Sequence, residues 1–154
     1  MNLPPNLTTE RLESLKAGLI GALSFTLVYS FIVLGNSLVL AQRFETLTTL
    51  QITTALDLLV KVAVAWLSGF LFGVTYRYVI REDKNPQLNA GVVLAFGLVR
   101  GLAPVEGQQT MTDAVWLLSV LGVESILGFV FTRLTLDWAI QRHWVKPFKS
   151  ASAP

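Results

Sequence analysis

The chain has 154 residues, of which 53% are hydrophobic and 14% are charged, whereas charged residues make up about 25% of an ordinary soluble domain. The length fits one domain, and the composition excludes intrinsic disorder and argues against a water-soluble fold. With no cysteine and one histidine, a disulfide framework, a Cys-ligated zinc, an iron–sulfur cluster and a bis-histidine haem are excluded within one chain. The net charge of +2 comes from few charged residues and does not predict nucleic-acid binding.

Four apolar stretches predict four membrane-spanning helices, because a hydrocarbon core of about 30 Å requires about 20 mostly apolar residues in a helix. The predicted spans are residues 17–41, 56–80, 86–103 and 113–134. Asn85-Pro86 predicts the N-cap and the first position of the third helix. Residues 8–16 predict a polar helical segment that either lies at the interface or extends the first span. We therefore expect an all-α, multi-pass membrane protein whose single domain covers residues 1–154.

Loop charges predict the orientation of these helices. With the N-terminus inside, two cations, Arg43 and Lys61, lie in outer segments and nine lie in inner segments. The inner nine are Arg11, Lys16, Arg77, Arg81, Lys84, Arg133, Arg142, Lys146 and Lys149. This positive-inside bias predicts a bundle of four transmembrane helices with both termini on the cytoplasmic or stromal side. A belt of interfacial aromatic residues is expected on the same side, formed by Tyr76, Tyr78, Trp138 and Trp144.

Two ionisable residues, Arg100 and Glu124, interrupt the third and fourth predicted spans. At 1.5 Å per residue, Arg100 lies ~21 Å from the inner start of its helix and Glu124 ~16 Å from the outer start of its own, so both fall at a similar depth. Each intramembrane charge costs at least ~2.5 kcal/mol, and helices joined by a short loop are antiparallel neighbours. We therefore expect an ion pair between Arg100 and Glu124.

Three roles are open for these two charges. They neutralise each other and set the helix register, they form part of a substrate or proton path, or each serves a partner subunit. A water-filled cavity that reaches both Arg100 and Glu124 would favour transport, whereas a dry, closed pair would favour the structural role. Asn36, in the outer half of the first span, is expected to form an interhelical hydrogen bond.

Two GxxxG motifs predict close helix packing, because small residues let helix backbones approach each other in lipid. Gly69 and Gly73 form the motif of the second span, and Gly97 and Gly101 form that of the third. We expect these glycines to pack helices within the bundle. Docking of the glycine faces onto a larger membrane complex is the alternative.

No catalytic fingerprint is present: the sequence lacks HExxH, Walker A, GxSxG and dinucleotide-binding motifs. His143 stands alone near the predicted inner surface, which favours an interfacial ring over a metal or haem ligand. We expect no cofactor and no enzyme activity. The leading hypothesis is an accessory or assembly subunit of a larger membrane complex, embedded in the bilayer with a membrane-protein partner or as a homo-oligomer. The alternative is a small oligomeric transporter or channel that uses Arg100, Glu124 and Asn36.

Two segments and one intramembrane residue carry a resemblance to a known group. The segments are residues 97–106, with the sequence GLVRGLAPVE, and residues 136–139, with the sequence LDWA; Glu124 lies between them. Together they resemble small four-span membrane proteins of cyanobacteria and plastids, over most of the chain. No activity is attached to that group that could be carried over to these residues. The resemblance implies a thylakoid or plasma membrane and work beside a photosynthetic or respiratory complex.

Overall fold

The computed structural model describes residues 7–40, 54–79, 85–104 and 111–147. Within these ranges four α-helices form the protein, and the expected all-α class is confirmed. The helices are α1 (Leu7–Gly35), α2 (Ala55–Val79), α3 (Pro86–Leu102) and α4 (Met111–Gln141). A π-helical segment, Asn36–Leu40, continues α1.

Three stretches of the described residues are long and apolar enough to cross a membrane: Thr8–Leu38, Ala55–Val79 and Leu117–Gln141. Their outward side chains include many exposed leucines, valines and phenylalanines, a surface that matches lipid rather than water. The third helix in the chain, α3, has 17 residues, which is the lower limit of the range of about 17–25 that spans a bilayer. The protein is therefore a helical membrane protein.

The helix bounds refine the predicted spans. Residues 8–16 are continuous with the first span, so they extend α1. Asn85 caps α3 as predicted, since its side-chain oxygen accepts a hydrogen bond from the Gln87 amide at 3.0 Å. At its C-terminal end α4 continues past the predicted limit of 134 to Gln141. Four of the charges used to predict orientation lie outside the described residues: Arg43, Arg81, Lys84 and Lys149.

Glycines join α1 and α2 into an antiparallel pair. A Cβ atom on Gly69 would lie 2.7 Å from the Cβ of Phe25, and one on Gly73 would lie 3.1 Å from the Cα of Gly18. Real Cβ atoms essentially never approach a heavy atom more closely than 3.0 Å. The first GxxxG motif therefore lies against a helix of the same chain and lets the two backbones touch.

The second GxxxG motif joins α3 and α4 in the same way. A Cβ atom on Gly97 would lie 2.7 Å from the Cγ1 of Ile126, and one on Gly101 would lie 2.7 Å from the Cα of Gly122. Because the contacts run forward along α3 and backward along α4, the helices are antiparallel, as expected from the short connection between them. Both glycine motifs thus pack helices within this bundle.

The two helix pairs meet at an aromatic cluster to which each helix contributes one ring. Phe25 and Phe129 stack with ring centroids 4.2 Å apart, and Phe72 lies 4.9 Å from Phe129. Phe96 closes the group edge-on, 5.4 Å from Phe72. Three of the four rings, those of Phe25, Phe72 and Phe129, are fully buried. This aromatic cluster fills the middle of the bundle with offset and edge-on ring contacts, which are favourable geometries.

The start of α1 and the ends of α2 and α4 meet at one end of the bundle, which we call the proximal end. Arg77 is completely buried there, and its guanidinium donates to the Glu10 carboxylate at 2.5 Å, to Ser14 Oγ at 2.7 Å and to the Lys146 carbonyl at 2.9 Å. The Lys146 amide in turn donates to Glu13 Oε2 at 2.9 Å. This network ties three separate parts of the chain together.

The chain after α4 turns back to reach this network. His143 has a positive φ of 59°, its amide donates to the Ile140 carbonyl, and the Trp144 amide donates to the Ala139 carbonyl. These two hydrogen bonds define a Schellman motif, in which a left-handed residue ends a helix. Trp144 then packs edge-on against Trp138, with centroids 5.0 Å apart. The motif places Lys146 beside Arg77.

Candidate functional site

A cavity of about 640 Å³ lies on the other side of the aromatic cluster from the proximal end, and residues of all four helices line it. Most of its wall is aliphatic or aromatic. The polar side chains in the wall are few, and they include Arg100, Glu124, Ser125, Ser68 and Lys61. This volume falls within the range of about 300–1,000 Å³ of small-molecule sites, which are mostly apolar with a few polar groups.

Arg100 extends from α3 toward α1 and α2. Its guanidinium carbon lies 4.5 Å from the ring centre of Tyr29 and 5.1 Å from that of Phe25, and Nη1 donates to Ser68 Oγ at 3.2 Å. A guanidinium over the faces of aromatic rings is stabilised by their electron density. These contacts hold the cation in the cavity wall, between Ser68 of α2 and Tyr29 of α1.

Glu124 extends from α4 toward the end of α1. Its Oε2 accepts a hydrogen bond from Asn36 Nδ2 at 2.9 Å, and Asn36 itself is buried. Asn36 is the first residue of the π-helical segment, and wider helical turns of this kind often occur at functional sites. The interhelical hydrogen bond expected of Asn36 is therefore present, and its acceptor is Glu124.

The expected ion pair between Arg100 and Glu124 is not formed. The two residues are described, both line the cavity, and no nitrogen–oxygen distance of 4.0 Å or less joins them. The geometry of α3 explains the difference. Gly97 and Gly101 occupy the contact with α4, so Arg100 is turned about the helix axis away from that contact. The charges lie at the same level, but they face across an open space.

Ser125 adds an unpartnered polar atom to the same wall. Its side chain is only 8% exposed, and its hydroxyl oxygen has no hydrogen-bond partner among the described residues. Serines inside helices usually donate to the carbonyl four residues earlier, as Ser119 does in the same helix. A buried hydroxyl without a partner is uncommon in folded proteins. Its position beside Glu124 marks the cavity wall as a place for a further polar group.

The remaining predicted polar residues lie outside this group or at its edge. Lys61, at the cavity edge, forms an ion pair with Asp57 at 2.9 Å. At the proximal end, Tyr76 was expected in the interfacial belt, but it is fully buried and donates to Asp137 at 2.8 Å. The other three members of the predicted belt, Tyr78, Trp138 and Trp144, are exposed.

Among the described residues no three His, Cys, Asp or Glu side chains are grouped so as to hold a metal ion.

Comparison of the chain with family models, with curated proteins and with solved structures finds no match. The resemblance to small four-span proteins of cyanobacterial and plastid membranes therefore stays a prediction, as does a thylakoid or plasma membrane location.

Proposed function

We propose that all four helices cross the membrane and that the proximal end lies in the cytoplasm or stroma. The tight antiparallel packing of α3 on α4 supports the crossing of α3, and the excess of Lys and Arg in the proximal segments supports the orientation. The chain has no cysteine, so single cysteines report on one site each.

Single cysteines in place of Gln108 and Ser152 test this topology with a membrane-impermeant maleimide on intact cells. With four crossings, Gln108→Cys is expected to react at once and Ser152→Cys only after the membrane is permeabilised. If α3 does not cross while α1, α2 and α4 do, the two positions exchange their behaviour, because the number of crossings before each changes by one. That result would contradict the proposed topology.

We propose further that the protein binds a small molecule inside the bilayer and acts as a small transporter. One observation carries the proposal: Arg100 and Glu124 face a common cavity without forming a closed pair. Charged residues within a membrane are costly, and they mark ligand or ion paths unless they neutralise each other. The unpartnered Ser125 hydroxyl in the same wall supports a bound polar group.

The shape of the bundle favours a carrier over a channel. The aromatic cluster of Phe25, Phe72, Phe96 and Phe129 fills the bundle between the cavity and the proximal end. Among the described residues, these packed rings separate the cavity from the proximal end. A cavity closed on one side is the arrangement expected of a protein that binds its substrate and then changes conformation.

The accessory-subunit hypothesis is the second candidate, and it has less support. The glycine faces that would dock onto a partner are used instead between α1 and α2 and between α3 and α4. Native electrophoresis after mild detergent extraction separates the two hypotheses. Stable co-migration with a larger complex would support the accessory role, whereas a discrete monomer or homo-oligomer would support the carrier.

Water access to Ser125 tests the transporter proposal. A thiolate, and not a thiol, reacts with charged methanethiosulfonates, so a cysteine reacts only where water allows it to ionise. We expect Ser125→Cys in membranes to react with the sulfonated reagent at least about tenfold faster than Leu127→Cys. The substitution is nearly isosteric, and serine and cysteine both fit this buried position.

Leu127 is the matched control, because it lies two residues away on α4 and its side chain is 59% exposed on the outer surface. Labelling of Leu127→Cys by a maleimide after denaturation in SDS shows that the protein is present, and a monodisperse size-exclusion profile before denaturation shows that it is folded. Equal and negligible reaction of both variants with the sulfonated reagent would contradict a water-accessible cavity. The structural role of Arg100 and Glu124 would then be favoured.

A further inference from the structure

The cavity opens sideways between α2 and α3. Three of its lining residues on α2, Val60, Val64 and Leu71, are about half exposed, and Val99 on α3 is 72% exposed. On the opposite wall, Phe25 of α1 and the cavity-lining residues Ser125, Gly128 and Phe129 of α4 are buried. The exposed apolar residues therefore form the rim of an opening, and the buried ones form its floor.

This opening lies at the depth of the lipid chains. Val64 is nine residues after Ala55, the first residue of α2, which places it about 14 Å along the helix at 1.5 Å per residue. A hydrocarbon core is about 30 Å thick, so the rim lies near its middle. A molecule that passes between α2 and α3 thus comes from the bilayer, and an apolar chain can remain in the opening without exposure to water.

The floor of the cavity carries both signs of charge. The Arg100 guanidinium lies beside Ser68 and Tyr29, and Glu124 accepts one hydrogen bond, from Asn36. A ligand with an anionic group alone would place its charge beside Glu124, and a cationic ligand would place its charge beside Arg100. A head group that carries an acidic and an amino group complements both residues, and it adds no net charge to a low-dielectric site.

We infer that the cavity binds a single-chain zwitterionic lipid, which enters from the bilayer between α2 and α3; this rests on the proposed transport function. The acidic group lies at Arg100, the amino group at Glu124, and the hydroxyl of Ser125 donates to the head group. The acyl chain follows the apolar rim of Val64 and Val99. A transmembrane helix of a partner does not fit the same space, because a volume of 640 Å³ lined by four helices is the size of a small-molecule site.

Lysolipids with the same acyl chain and different head groups test the inference. The full-length protein in phosphatidylcholine nanodiscs is titrated with lysophosphatidylethanolamine, lysophosphatidylglycerol and, as a soluble zwitterion, phenylalanine, and binding is measured by native mass spectrometry. We expect the ethanolamine lipid to bind about tenfold more tightly than the glycerol lipid, the effect of one charge-assisted hydrogen bond. Glu124→Gln should abolish that preference, and Arg100→Gln should weaken both lipids about tenfold.

The opening is tested with a bulky residue at the rim. Val99→Trp should reduce binding of the ethanolamine lipid about tenfold or more. Val123→Trp is the control, because Val123 is exposed on the outer surface of α4 and does not line the cavity. Equal loss in both variants would contradict access between α2 and α3.

The outcomes separate this inference from the proposed function. Binding of phenylalanine without binding of either lysolipid would overturn the lipid assignment and keep the transporter. Equal affinity for the two lysolipids would overturn the role given to Glu124. No binding of any probe, together with an unreactive Ser125→Cys, would overturn the cavity as a ligand site and the proposed function with it.

Discussion

Replacing Arg77 with methionine is expected to lower the free energy of unfolding by about 3–5 kcal/mol, which is the cost of removing one partner from a buried ion pair. The Arg77 side chain is fully buried and contacts the Glu10 carboxylate, Ser14 and the Lys146 carbonyl. Methionine keeps much of the volume but donates no hydrogen bond. The measurement is equilibrium unfolding of the purified protein in mixed detergent micelles.

Lys16→Met is the control for Arg77→Met, since it removes a cation from the same end of the bundle. Lys16 pairs with Glu13 at 2.8 Å, but its side chain is 45% exposed. The Glu13 side chain is 7% exposed, but it keeps the hydrogen bond from the Lys146 amide when Lys16 is replaced, so this variant should lose clearly less stability than Arg77→Met. If both variants lose the same stability, the effect of Arg77 is a matter of net charge and not of its buried contacts.

The second large effect is expected for Gly73→Ala, which should lower stability by about 1–3 kcal/mol through overpacking. The added methyl group would collide with the carbonyl oxygen of Ala17 and lie 3.1 Å from the Cα of Gly18. Both are backbone atoms, so α1 and α2 must move apart to accept it. The same unfolding measurement applies, and a loss of α1–α2 proximity by cross-linking would accompany it.

Gly91→Ala is the matched control, because it makes the same chemical change in another helix. A Cβ atom on Gly91 would meet nothing within 4 Å, and alanine favours a helix over glycine by about 1 kcal/mol. The two substitutions are therefore expected to shift stability in opposite directions. A loss of stability in both would show that the α1–α2 contact is not the cause.

The positions of residues along the helices could be predicted from sequence more readily than their directions. Counting residues along the helices predicts Arg100 and Glu124 at the same depth in the membrane. The contact of Gly101 with Gly122 places the two residues at the same height in the helix pair. The direction of Arg100 depends on which face of α3 packs against α4. Gly97 and Gly101 determine that face because they allow the closest approach of α3 to α4, and residue depth alone does not predict it.

The buried network around Arg77 was not predicted. The loop charges predict Arg77 as one of nine cations near a membrane surface, a group whose side chains ordinarily reach water or lipid head groups. A signal was nevertheless present, because Glu10 and Glu13 lie in the polar start of α1, and an antiparallel pair places that start beside the end of α2. The contribution of the Lys146 backbone could not have been found, since it depends on the Schellman motif at His143.

The contact between Lys146 and the start of α1 has a consequence for synthesis of the protein. The carbonyl that accepts from Arg77 and the amide that donates to Glu13 belong to Lys146, which is translated after α1 and α2. During membrane insertion, α1 and α2 therefore lack the two hydrogen bonds to the Lys146 backbone until residue 146 has been synthesised. A chain that stops before residue 146 would keep the Arg77 contacts to Glu10 and Ser14 but would lack the carbonyl acceptor of Lys146 and the amide donor to Glu13.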